Sequence, residues 1–141
     1  MIRLGAVGAQ RERLGGAVLS PDRTKLAAWA ESGVVVWDVN ESEAILRVPA
    51  SLADGERGPI AWSPDSQALV YLQVASFCPL AGKSTMAQAS LADGSQTLLV
   101  ESEAPTFGGV AWETPGQLRL TDEKGSEWRY DFARNELVPT Q

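Results

Sequence analysis

The chain has 141 residues, 44% hydrophobic and 21% charged, the balance of a folded domain and not of a disordered one. Its net charge of −6, with Arg11 and Arg13 around Glu12 as the only basic cluster, excludes sequence-independent nucleic-acid binding, which needs massed cations to displace counterions from phosphates. One cysteine and no histidine exclude an intrachain disulfide framework, a zinc site of the usual ligands and a Ser-His-Asp triad.

The N-terminal stretch Ile2-Arg3-Leu4-Gly5-Ala6-Val7 reads as a short apolar strand without a signal-peptide core, and no apolar run approaches the ~18 residues of a membrane span. A cytoplasmic, membrane-free setting is the expectation. Gly16 to Ser20 reads as a strand of small residues, stopped by Pro21-Asp22, because Pro gives no ladder donor and Asp favours a turn. Lys25 to Ala30 and Val34 to Val39 follow across a tight hairpin at Glu31-Ser32-Gly33. The second of these is dense in β-branched residues and ends in Trp37-Asp38. Ala44 to Val48 completes four strands joined by short loops.

The plan then repeats. Pro59 to Trp62 and Ala68 to Gln73 flank Ser63-Pro64-Asp65, Ala75 to Lys83 reads as a long loop, and Ser84 to Leu91 and Thr97 to Val100 close the second set. Residues Met86 to Leu91 are helix-friendly, and only the repeat makes them a strand. The third set runs through Gly109 to Trp112, Gln117 to Thr121, Glu127 to Phe132 and Asn135 to Val138, with Pro139 blunting the last. Aligned on Leu19, Trp62 and Trp112, the copies begin 43 and 50 residues apart, the period of an architecture built from one four-stranded sheet per repeat. On the same spacing, Ile2 to Val7 falls where the fourth strand of a preceding sheet would lie.

Trp62-Ser63-Pro64-Asp65 resembles the turn between the first two strands of a blade in TolB-like and WD-repeat β-propellers, and Val18-Leu19-Ser20-Pro21-Asp22 matches it. Trp37-Asp38 sits where WD repeats carry their name-giving dipeptide, although the Gly-His pair of those repeats is impossible here. The resemblance implies an all-β fold of three four-stranded antiparallel blades, a partial propeller: residues 1–15 as orphan outer strand and linker, 16–58 as blade 1, 59–107 as blade 2 and 108–141 as blade 3. Propellers usually have four to eight blades. Three leave two outward faces expected to be rich in Leu, Val and Trp, so the expectation is a homodimeric six-bladed ring, with a nine-bladed trimer as the alternative. Ile2, Leu4, Ala6 and Val7 would then form the outer strand of the partner's last blade.

No catalytic, metal or cofactor site emerges. Gly82-Lys83-Ser84-Thr85 lacks the upstream glycine of a phosphate loop, where Phe77 stands. The acidic pairs Asp54/Glu56, Glu101/Glu103 and Asp122/Glu123 fall in expected turns, where solvation explains them. Trp29, Trp37, Trp62, Trp112 and Trp128 recur at core positions, and Cys78 has no histidine to activate it. By fold resemblance alone the expected role is a non-enzymatic interaction scaffold binding a protein or peptide. The alternatives are a subunit of a larger propeller that gates a hydrolase, and a lectin-like sugar binder.

Overall fold

The computed structural model describes residues 15–31, 33–50 and 55–140. Twelve strands and no helix occur among them. Blade 1 comprises β1 (Gly15–Leu19), β2 (Lys25–Ala30), β3 (Gly33–Asp38) and β4 (Glu43–Pro49). Blade 2 comprises β5 (Glu56–Trp62), β6 (Ala68–Phe77), β7 (Leu80–Ser90) and β8 (Gln96–Ser102). Blade 3 comprises β9 (Phe107–Thr114), β10 (Gln117–Asp122), β11 (Glu127–Asp131) and β12 (Glu136–Pro139). Each blade is an antiparallel meander in chain order. The first strands β1, β5 and β9 lie side by side. They carry the small residues Gly58, Gly108 and Gly109, which allow backbones to approach closely.

Two sequence expectations change. Ala75 to Lys83 is not a loop: β6 and β7 pair out to Ser76↔Ala81 and Phe77↔Leu80, leaving only Cys78-Pro79 at the turn. The helix-friendly Met86–Leu91 segment is held extended by ladders to β6 on one side and β8 on the other, down to Ser90. Tertiary pairing overrides local propensity there.

Alternation along the strands sorts the core into seams between blades. Between blades 1 and 2, Trp29, Val34, Val36 and Val48 meet Ile60, Trp62, Leu69 and Tyr71. Between blades 2 and 3, Val70, Leu72 and Met86 meet Phe107, Leu118, Leu120 and Tyr130. Tyr71, Leu69, Phe107, Leu118 and Leu120 are wholly buried. Each such side chain contributes on the order of 1.5–3 kcal/mol of burial energy.

The two outward faces are not alike, contrary to expectation. In blade 1, Leu26, Ala30, Val35 and Trp37 form an apolar cluster on the side away from blade 2. In blade 3, the strand partners of the outward row are Gln117, Arg119, Thr121, Glu127, Arg129 and Asp131. There Arg119 pairs with Glu113 and Glu127 at 3.8 and 3.9 Å, and Arg129 pairs with Glu113 at 3.2 Å. A period of two puts Leu118, Leu120 and Tyr130 into the seam and their charged neighbours outside. Blade 3 thus presents a polar, ion-paired face on the side away from blade 2.

Candidate functional site

The Ser-Pro-Asp turns are structural devices. Ser20 Oγ donates to Asp22 Oδ1 at 2.7 Å while accepting from Lys25 N at 3.1 Å, and Asp22 Oδ1 also accepts from Thr24 N and Thr24 Oγ1. Ser63, Asp65, Gln67 and Ala68 repeat the pattern. These donors, the Ser20 hydroxyl first, pull the Asp22 carboxyl down from 3.8 to about 2. Arg23 and Ser66 occupy the left-handed position of each turn, at φ 65° and 63°. Pro21 and Pro64 sit exposed at the apices. In the third copy Thr114-Pro115-Gly116 replaces this with a shorter turn, in which Gly116 N donates to Thr114 Oγ1.

The repeated tryptophans latch blade to blade. Trp62 Nε1 donates to Val18 O of blade 1 at 2.9 Å, and Trp112 Nε1 donates to Ala61 O of blade 2 at 3.1 Å. Val18 and Ala61 hold the same place in their copies, so one bond recurs at both seams. Leu19, at the equivalent place in blade 1, has no such donor and is exposed. Trp29 Nε1 donates to Gly58 O at 2.7 Å, and its ring meets Tyr71 edge-on at 5.5 Å. The Tyr71 hydroxyl donates to Pro49 O and also meets Gln96 Nε2. Asp38 closes the β3–β4 turn by accepting from Asn40 N and Glu41 N.

A long hairpin and a cleft lie at the end of the blades opposite those turns. The β6–β7 hairpin is the longest among the described residues, and it reaches over the first strands of two blades. Phe77 lies against Gly58 of β5, where a Cβ would come within 2.8 Å of its ring, and Leu80 lies against Gly108 of β9. Thr106 ties the hairpin to blade 3: its hydroxyl donates to Gly82 O at 2.7 Å, and its amide donates to Glu123 Oε2 at 3.0 Å. Beside this junction is a cleft of about 520 Å³ lined by Pro105, Asp122, Glu123, Lys124, Glu127 and Trp128. Asp122 is buried there, which by itself raises its pKa. Donation from Trp128 Nε1, Lys124 N and Ser126 N outweighs burial and holds the carboxyl below its usual range.

Of the other sequence candidates, Gly82–Thr85 lie within β7, an extended strand, and Lys83 pairs with Glu101 at 2.5 Å. Glu56 accepts from Phe77 N at 2.8 Å. Asp54, Ile2, Leu4, Ala6 and Val7 lie outside the described residues. Cys78 is exposed at the hairpin tip. No group of three or more His, Cys, Asp or Glu placed to hold a metal occurs among the described residues. Trp128 is the one tryptophan lining the cleft. Sequence reasoning missed the long hairpin and the cleft beside it. The available signal is the uncharged run from Ala75 to Gly82, in which Phe77 and Leu80 flank Cys78-Pro79 as strand ends flank a tight turn.

No family model and no curated protein matches the chain. Solved structures do. An oligogalacturonate lyase in complex with manganese aligns at a TM-score of 0.69 and 14% identity, covering 92% of this chain and 40% of its own. TolB from Acinetobacter baumannii aligns at 0.64 and 16%, covering 92% and 32%, and U3-55K at 0.65 and 15%, covering 91% and 38%. The chain thus spans about 40% or less of each of these structures. At such identities the likeness concerns fold alone. With its three four-stranded antiparallel sheets, stacked with their first strands together, the chain has the fold of a partial β-propeller of three blades.

Proposed function

We propose that the chain is a non-enzymatic interaction module that binds an extended peptide segment of a partner protein across the β6–β7 hairpin tip and the adjoining cleft. The observation that carries this reading is the hairpin itself. It is uncharged from Ala75 to Gly82 in a chain of net charge −6, and it is exposed at Ala75, Cys78, Pro79, Ala81 and Gly82. Through Thr106 it joins the acidic rim of the cleft. An apolar tip beside carboxylates suits a segment with an apolar anchor next to Lys or Arg, the anchor supplying affinity and the charge supplying orientation.

The absence of histidine from the sequence, and the engagement of Asp122 and Glu123 in backbone hydrogen bonds, favour binding over catalysis. A sugar reading rests on Trp128 and on the lyase among the fold neighbours. Oligogalacturonate is an anionic sugar, and Asp122, Glu123 and Glu127 would repel it. Two observations weigh against the six-bladed homodimer. The outer position of blade 3 is already filled by β12, paired along β11 from Trp128↔Pro139 to Asp131↔Glu136. Ring closure would also bury the Arg119 and Arg129 ion pairs, at a desolvation cost that exposed pairs do not bear.

The test is selection of peptides from a random display library on the chain, followed by anisotropy titration. Selected peptides should carry an apolar residue beside a basic one. Trp128→Ala and Leu80→Asp should each weaken binding about tenfold, roughly 1.4 kcal/mol. Enriched peptides indifferent to both substitutions, or no enrichment at all, would overturn the proposal. Saturable binding of oligogalacturonate that is lost in Trp128→Ala would favour the sugar reading.

A further inference from the structure

The two halves of the proposed peptide site belong to separate sheets. The β6–β7 hairpin is part of blade 2, and the turn from Asp122 to Ser126 at the cleft is part of blade 3. One buried residue spans them. Thr106 stands immediately before β9 and is 2% exposed, so its polar groups meet protein and not water. Its hydroxyl donates to Gly82 O on the hairpin at 2.7 Å, and its amide donates to Glu123 Oε2 on the turn at 3.0 Å. Both flanks of Thr106 are themselves held. Phe107 N donates to Ser84 Oγ of β7 at 3.1 Å, and Ser102 Oγ donates to Pro105 O at 2.7 Å. On the far side, Asp122 accepts from Lys124 N and Ser126 N through one oxygen and from Trp128 Nε1 through the other. A continuous path of hydrogen bonds, closed by the covalent link between Asp122 and Glu123, thus runs from the hairpin to the indole that lines the cleft.

We infer that Thr106 is the positioning residue of this site: it fixes the spacing between the apolar hairpin tip and the Trp128 wall, so a peptide that engages one finds the other in place. Without such a bridge the hairpin and the turn would move separately, and a peptide touching both would have to order them at its own entropic cost. Thr106 removes that cost because its two bonds go to different blades, and breaking either leaves a buried polar group unmet. The residue type fits the task. Serine would supply the same hydroxyl, whereas valine keeps the β-branched shape and loses the donor to Gly82 O. The inference rests on the peptide-binding reading for its purpose, while the bridge is a property of the chain alone.

Amide exchange on the chain alone tests the bridge, and titration with a peptide enriched on the parent chain tests its purpose. Thr106→Val should speed exchange about tenfold at Lys124 and Ser126, on the turn that its hydroxyl does not touch, as well as across residues 81–83. Glu123→Ala, which breaks the other arm, should speed exchange across residues 81–83 in return. Thr106→Ser should leave both regions at parent rates. A change confined to the side of the broken bond would overturn the inference, since a merely local role gives that result. The enriched peptide should bind Thr106→Val about tenfold more weakly, whereas its apolar half and its basic half, offered as separate peptides, should bind parent and variant alike. Equal affinity of the whole peptide for both chains would overturn the positioning role and leave the binding site itself standing. If the library yields no peptide the binding reading falls, and the exchange result alone decides the bridge.

Discussion

The seam bond from Trp62 Nε1 to Val18 O can be isolated from the packing of the ring that carries it. Replacing the indole of Trp62 by benzothiophene keeps the bicyclic shape and deletes the donor, whereas Trp62→Phe deletes the donor and part of the ring. The bond is 2.9 Å long and the ring only 7% exposed, so water replaces the donor poorly. The benzothiophene variant should lose about 1 kcal/mol. For Trp62→Phe, roughly 45 Å² of lost ring area at about 25 cal/mol/Å² removes a further ~1 kcal/mol. The cavity left behind adds a comparable amount, for a total of about 3 kcal/mol. At roughly 3–5 °C per kcal/mol for a domain of this size, the melting temperature should fall by about 3–5 °C and 9–15 °C respectively. Calorimetry with urea unfolding as a second probe gives both numbers. A benzothiophene variant as stable as the parent, beside a strongly destabilised Trp62→Phe, would refute the latch and leave packing as the whole of what Trp62 contributes to the seam.

Four further outcomes follow from the same structure. Gly33→Ala should destabilise by several kcal/mol in thermal unfolding, because a Cβ there would stand 2.0 Å from Val48 O at φ +148°. Arg23→Gly should hold or raise the melting temperature by the equivalent of up to about 1 kcal/mol, since Arg23 sits in the left-handed region at φ 65°. Asp22, with its carboxyl lowered to about 2, stabilises the fold fully above the ordinary aspartate value of about 3.9 and loses that contribution as pH falls through about 2. Melting temperatures followed from pH 5 downward should therefore fall less in Asp22→Asn than in the parent. Replacing Arg119 and Arg129 together by Val should change monomer stability by no more than about 1 kcal/mol, yet cause concentration-dependent association visible by light scattering.

How far the residues spoke for themselves depended on range. Lys25–Ala30 was legible to the residue because Pro21-Asp22 and the Gly33 hairpin bound it on both sides. Ser63-Pro64-Asp65 placed the first turn of blade 2 by local chemistry, and its two copies locate Leu19 and Trp62. The hairpin from Ala75 to Lys83 was hidden because its Pro and Gly mimic a loop, while the packing of Phe77 on Gly58 and of Leu80 on Gly108 lies outside the local sequence. The polar end of blade 3 was present in the alternation of Leu118-Arg119-Leu120 and Trp128-Arg129-Tyr130. It was masked by counting apolar residues per blade without dividing them between faces. The cleft at Trp128 could not be read at all, since it forms only where Thr106, from the connection into blade 3, meets Glu123.

The central claim, that the charged outward face of blade 3 does not close a ring with a second copy, is tested most directly by the mass of the chain in solution. Sedimentation equilibrium over a wide range of concentration should give the mass of a single chain throughout. A stable species of twice that mass, persisting at the lowest concentration, would contradict the account and restore the closed six-bladed ring.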